Sequence, residues 1–191
     1  MFTQPTFSEV QIGSRQGCAI QNLVPSAENE TAWYAAYTCV RHERVVARQL
    51  AERRVDCFVP MYRSVRRWKD RQKTLDLALF PGYVFVRIAL LDRLKVLQVP
   101  SVVSLISFNG RPVPIDDGEL DVFRNGLASQ IRMAPHPYLK VGRRVRLQTG
   151  PLAGAEGILA RKKDGCRLVM SIDLLMRSVA VEVDEADVVA I

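Results

Sequence analysis

The chain has 191 residues, with 27 Lys and Arg against 20 Asp and Glu and a formal charge of +7. That length admits one or two modest domains with packed cores, and the basic excess favours an acidic partner, of which nucleic acid is the commonest. No run approaches the about 20 continuous apolar residues that cross a bilayer, and residues 1–7 lack the charged start and apolar run of a signal peptide, so a cytoplasmic address and no membrane contact are expected by elimination.

Residues 1–31 mix Gln, Ser, Asn, Thr and Glu with scattered apolar residues and no sustained period, which predicts a flexible leader. Residues 33–39 are apolar and aromatic and read as a strand. A helix fits 42–54, with Val45, Val46, Gln49 and Leu50 on one side and Arg44, Arg48, Glu52 and Arg53 on the wetter one. Residues 55–60 return to strand, closed by Pro60. The next stretch, 62–79, carries the steepest local charge, Arg63, Arg66, Arg67, Lys69, Arg71 and Lys73 against Asp70 and Asp76, and reads as an extended hairpin projecting from the sheet.

Leu79-Phe80-Pro81-Gly82-Tyr83-Val84-Phe85-Val86 joins a tight turn to a strand. Pro81 pre-sets one turn dihedral and Gly82 permits the other. Side chains alternate along a strand, so Tyr83 and Phe85 share a face, which is either core or a docking surface. A short helix follows at 92–98, a strand at 102–108 ended by Asn109-Gly110, and a last helix from Pro114 to about residue 130, capped by Asp116 or Asp117 with Glu119 and Asp121 near its positive end. Strands mixed with helices, without regular βαβ alternation, predict an α+β fold: an antiparallel sheet packed with helices. Met133-Ala134-Pro135-His136-Pro137 breaks the periodicity and reads as a linker. Five short strands at 143–149, 157–163, 167–172, 177–183 and 188–191, separated by Gly and Asp-Gly turns, predict a small β-barrel. The expected division is therefore a leader (1–31), an N-terminal domain (32–131), a linker (132–139) and the barrel (140–191).

Two surfaces of the N-terminal domain are candidates for function. Tyr37, Tyr83 and Phe85 lie together if their strands are neighbours, with Leu105 completing an apolar depression; the alternative is that all four are ordinary core. On the hairpin, Arg66, Arg67, Lys69, Arg71 and Lys73 suit phosphate contacts and Trp68 offers a face for base stacking, with Arg48, Arg53 and Arg54 of the first helix extending the track. A hairpin whose charge only keeps an exposed edge soluble is the competing reading. Cys18, Cys39, Cys57 and Cys166 form no Cys-x-x-Cys pair, which argues against a zinc knuckle or redox dithiol. His42 and His136 lie too far apart in the chain to suggest a histidine metal site or a catalytic triad. The loop Gly150-Pro151-Leu152-Ala153-Gly154-Ala155-Glu156-Gly157 lacks the Gly-Lys-Ser or Gly-Lys-Thr ending of a phosphate loop. Neither an enzyme nor a cofactor is expected.

Trp33-Tyr34-Ala35-Ala36-Tyr37, the Phe-Pro-Gly-Tyr strand and the 150–157 loop, in that order, resemble the NusG family of transcription elongation factors, from about Trp33 to the C-terminus. The resemblance implies an N-terminal NGN-like domain and a KOW-type, SH3-like barrel. It implies that Tyr37, Tyr83, Phe85 and Leu105 receive the clamp helices of the large RNA polymerase subunit, that the basic track faces non-template or upstream DNA, and that the protein is a monomer. It further implies that Gly150, Pro151, Leu152, Gly154, Leu174, Leu175 and Arg177 meet ribosomal protein S10, the termination factor Rho, or both. Leu152 stands where an aromatic is usual, and Met176-Arg177 where the general factor has Gly-Arg. The second departure looks more like the specialised antiterminator paralogues, the RfaH/UpxY-like branch serving long operons. A general housekeeping factor and a KOW-type RNA- or ribosome-binding protein are the alternatives.

Overall fold

The structure, a computed structural model, describes residues 29–68, 71–139, 142–162 and 165–191. The side chains of residues 66–68, 71, 161–162, 165 and 185 fall outside that description. Most of the leader anticipated over 1–31 therefore lies outside the described residues.

Strand β1 (Ala32–Thr38) leads into helix α1 (Glu43–Glu52), and the chain returns through β2 (Asp56–Phe58). Strands β3 (Met61–Trp68) and β4 (Arg71–Ala78) pair only with each other, as the projecting hairpin the charge run predicts. Strand β5 (Tyr83–Ile88) is central, in a sheet ordered β2-β5-β1-β6, with β6 spanning Val102–Leu105. Helix α2 (Arg93–Leu97) lies between β5 and β6. A two-residue turn at Asn109-Gly110, both at positive φ, joins β7 (Ser107–Phe108) to β8 (Arg111–Pro112). Helix α3 (Asp117–Ala128) starts at Asp116, whose carboxylate accepts the Gly118 N–H at 2.8 Å, so one of the two expected caps does the capping.

The period-2 pattern of β1 and β5 divides the apolar residues between two layers. Tyr34, Ala36, Val84, Val86 and Ile88 pack under Val46 and Leu50 of α1 and Val96 of α2. Trp33, Ala35 and Phe85 face the other way, against Leu120 and Phe123 of α3. Arg124 of α3 lies with its guanidinium 5.2 Å from the Trp33 ring centre and 5.1 Å from that of Phe58, and donates to Asp121 at 2.6 Å. The first tryptophan is thus a core residue covered by a cation rather than a contact surface. In α1 the inward residues are Glu43, Val46 and Leu50; Val45, expected beside Val46, is exposed. At 3.6 residues per turn the stripe runs 43, 46, 50, which carries position 45 out to solvent.

The C-terminal half is one antiparallel sheet in the order β14-β10-β11-β12-β13-β9, built from β9 (Met133–His136), β10 (Arg143–Leu147), β11 (Glu156–Lys162), β12 (Gly165–Ile172), β13 (Arg177–Val183) and β14 (Val188–Ala190). Five of these strands match the sequence reading. The sixth corrects it: residues 133–136, expected as linker, pair with β13 in the register Val179↔Pro135 and Val181↔Met133. β9 is an edge strand, where a proline costs no ladder bond on the open side, so the Pro-rich composition is compatible with pairing. The two halves share one apolar cluster. Leu152 and Met133 approach Gly126 of α3 so closely that a Cβ there would stand 3.0 Å from a Leu152 methyl and 1.9 Å from the Met133 terminal methyl.

Candidate functional site

The Phe-Pro-Gly-Tyr motif divides its labour residue by residue. Phe80 is buried, edge-on to Phe85 at 5.6 Å and to Phe123 at 5.1 Å between ring centres, so it pins the sheet to α3. Gly82 turns the chain at φ +84, a conformation that disfavours any side chain. Its N–H donates to the carboxylate of buried Glu43 at 2.7 Å and its carbonyl accepts from the Thr38 N–H at 2.8 Å. The turn is thereby fastened to both α1 and β1. Tyr83 then enters β5 directly opposite Tyr37 of β1, with ring centres 5.6 Å apart and planes tilted by 50°. Tyr37 is 39% exposed, Val40 beside Gly82 is 58% exposed, and Tyr83 is half-buried.

Of the four residues expected to form one apolar depression, the structure brings Tyr37 and Tyr83 together at the surface. Phe85 is on their side of the sheet but has no exposed area, lying against Phe80 and Phe58. Leu105 pairs with Ala36 and belongs to the opposite layer, under α1 and α2. The sequence reading was one residue off on β6, and a shift of one reverses the face. Ile106, whose N–H donates to the Ala35 carbonyl at 2.8 Å, packs on the Phe85 side instead.

On the hairpin, Arg63 pairs with Asp76 and Arg66 with Lys73 in register, and Lys73 is exposed. Lys69 lies outside the described residues, as do the side chains of Arg66, Arg67, Trp68 and Arg71. On α1, Arg48 is exposed, and Arg44, one turn earlier on the same face, is exposed as well. The four-residue spacing puts Arg44 beside Arg48, next to the expected track. Arg53 has a different occupation. Its guanidinium donates to the Lys95 carbonyl at 3.2 Å and the Gln98 carbonyl at 3.4 Å, tying the end of α1 to the carbonyl end of α2. Arg54 sits at φ +58 where α1 stops.

In the C-terminal sheet, Gly150 and Gly154 adopt φ +81 and +87, the backbone need anticipated for this loop. Pro151 and Arg177 are exposed and Leu174 is half-buried, whereas Leu175 is buried and Leu152 is only 3% exposed, facing α3. Met176 takes φ +50 and is 65% exposed. Between α3 and this sheet runs a cleft of about 500 Å³ lined by Glu119, Val122, Leu139, Arg144, Glu156 and Asp173 among others. Burial raises the Glu119 carboxyl above its ordinary range, and Asp116 and then Asp173 push the same way.

A family model, that of transcription termination factor NusG, matches residues 31–124, from β1 into α3. The transcription termination/antitermination protein NusG of Escherichia coli strain K12 is 30% identical over 139 residues, which cover 70% of this chain and 76% of that protein. The chain belongs to the NusG family. NusG of Lactococcus lactis is 26% identical over 171 residues, covering 81% of this chain and 90% of that one. Among solved structures, Thermotoga maritima NusG, described for its domain interaction, superposes with a TM-score of 0.54 at 23% identity over 84% of this chain and 97% of that one, which supports the fold. NusG proteins are transcription termination and antitermination factors and not enzymes, so this chain is a NusG-like transcription factor. No described helix is long and apolar enough to cross a membrane.

Proposed function

We propose that this factor binds the clamp of the large RNA polymerase subunit through Tyr37 and Tyr83 and keeps the polymerase elongating across nucleic acid held by its basic hairpin. The observation that carries the reading is the tyrosine pair, held in place by a turn bonded to two elements and left partly uncovered. An amphipathic aromatic pair on a rigid sheet offers large contact area at low entropy cost, the usual make-up of an interface hot spot. Phe85 and Ile106 support the pair from below, and Leu105 is not part of it.

The basic partner surface comprises Lys73 and Arg63 with Arg66, Arg67, Trp68, Lys69 and Arg71 on the hairpin, and Arg44 and Arg48 on α1. The register sets Arg66 opposite Lys73, and like charges opposed across a ladder destabilise it unless an anion lies nearby. A phosphate of non-template or upstream DNA meets that need. Arg53 belongs to the α1–α2 junction in this reading.

The specialised branch is favoured by Met176. A non-glycine residue in the left-handed region costs roughly 1–2 kcal/mol, and here it displays an apolar side chain beside Arg177 and Leu174. Such a residue suits a contact made by this surface with a second machine, S10 or Rho. Capture of RNA polymerase assembled on a nucleic-acid scaffold tests the main reading. Wild type is expected to be retained and Tyr37→Ala/Tyr83→Ala lost, with both proteins folded; equal retention would remove the tyrosine pair from the interface.

A further inference from the structure

Helix α2 is short and buries one residue, Val96, in the layer it shares with α1. A single turn and a half has little stability of its own, so its place is set by what holds it: the Arg53 guanidinium on the Lys95 and Gln98 carbonyls, and the Asp92–Lys95 ion pair at 2.9 Å. On its outer side, and on the turn that leads into it, Leu91, Leu94 and Leu97 recur every three residues and are 54%, 58% and 37% exposed. Exposed leucines scattered singly are ordinary. Residues three apart on a helix adjoin, however, and these three make an apolar ridge about 10 Å long, the kind of surface that marks a contact.

The first strand starts beside this ridge. Ala32, which opens β1, pairs with Ile88 at the end of β5 and packs in the same layer as Leu90. Residues 1–28, outside the described residues, carry only three charged side chains, Glu9, Arg15 and Glu28, and are too few to build a core of their own. Their apolar cluster nearest to β1 is Ile20, Leu23 and Val24. From Val24 to Ala32 the chain can reach about 26 Å, well beyond the length of the ridge. Glu28 and Glu30, within that span, are opposite in charge to Arg93, which is exposed next to the leucines. We propose that residues 20–24 dock on the Leu91–Leu94–Leu97 ridge of the same molecule, with Ile20, Leu23 and Val24 covering the leucines.

Tethering favours this occupant over a second copy of the chain. A short linker holds its segment at an effective concentration of about millimolar, so a contact too weak to join two molecules is still made within one. The docked segment leaves the tyrosine pair open. Tyr37 and Tyr83 lie at the other end of β1, and their face of the sheet is the one opposite α2. The inference is thus independent of the polymerase contact proposed above.

Methyl NMR of the full chain tests the docking, with a nitroxide on Cys18 in a Cys39→Ser/Cys57→Ala/Cys166→Ser background. The methyl signals of Leu91, Leu94 and Leu97 are expected to lose most of their intensity, and those of Val65 and Val189, exposed elsewhere, to keep theirs. Adding Ile20→Ser/Leu23→Ser/Val24→Ser is expected to restore the leucine signals. A second measurement needs no cysteine replacement: Leu91→Gln/Leu94→Gln, at exposed positions, is expected to shift the Ile20, Leu23 and Val24 methyl resonances while the buried methyls stay in place. Intensity lost only when nitroxide and isotope are on different molecules would assign the ridge to a second copy and overturn the proposal. So would leucine signals untouched by the nitroxide, equal loss at Val65 and Val189, or leader resonances unchanged in Leu91→Gln/Leu94→Gln.

Discussion

Two aromatics two residues apart on β5 have different duties, because the sheet is covered by α3 over Phe85 and is open over Tyr83. Phe85→Ala is expected to cost about 3–5 kcal/mol, as for a fully buried aromatic, read as a lowered urea midpoint. Tyr83→Ala is expected to shift stability by no more than about 1.5 kcal/mol while abolishing polymerase capture. A substitution at Phe85 would therefore confuse docking with unfolding. Glu43 is a second residue whose meaning depends on its partner. It is buried in a helix's first turn, and Glu43→Ala leaves the Gly82 N–H without its acceptor, at an expected cost of about 1–3 kcal/mol by denaturant titration. The motif itself was legible, since Pro-Gly predicts a turn from dihedrals alone. The acceptor that locks it was not, because Glu43 and Gly82 meet only when α1 folds back across β1.

At the scale of elements, helices and strands were legible where a period or a cap is written into consecutive residues: α1, α3 with its Asp116 cap, the Asn109-Gly110 turn and five C-terminal strands. β9 was not, because its evidence is a neighbour, β13, that accepts a proline-containing strand on an open edge. The arginines divide in the same way. Arg53 and Lys73 are both exposed cations by composition, yet Arg53 closes the junction of two helices. Arg53→Ala is expected to cost about 0.5–1.5 kcal/mol of stability and leave the salt dependence of DNA binding unchanged. Lys73→Ala is expected to reduce the slope of log affinity against log salt by about 1 with stability intact. A lowered slope in Arg53→Ala would return that residue to the proposed nucleic-acid surface.

For the whole molecule, the decisive feature is the shared cluster that joins the two halves through Gly126, Met133 and Leu152. Parts that share a core unfold together, so wild type is expected to give one calorimetric transition. Gly126→Leu fills the notch and is expected to split it into two, each half retaining its own secondary structure by circular dichroism; a single transition in that variant would mean that the halves are coupled elsewhere.

Composition and local pattern carried the α+β class, the order of the elements, the turn at Gly82 and the resemblance to NusG, because each is encoded in the chemistry of neighbouring residues. Which side of a sheet is covered, which arginine is already engaged, and whether two halves meet depend on contacts between residues far apart in the chain. Burial of Phe85 follows from the packing of α3 on one face of the first sheet, burial of Leu105 from α1 and α2 on the other, and the strand at 133–136 from pairing with β13, relations written in no single stretch of the chain.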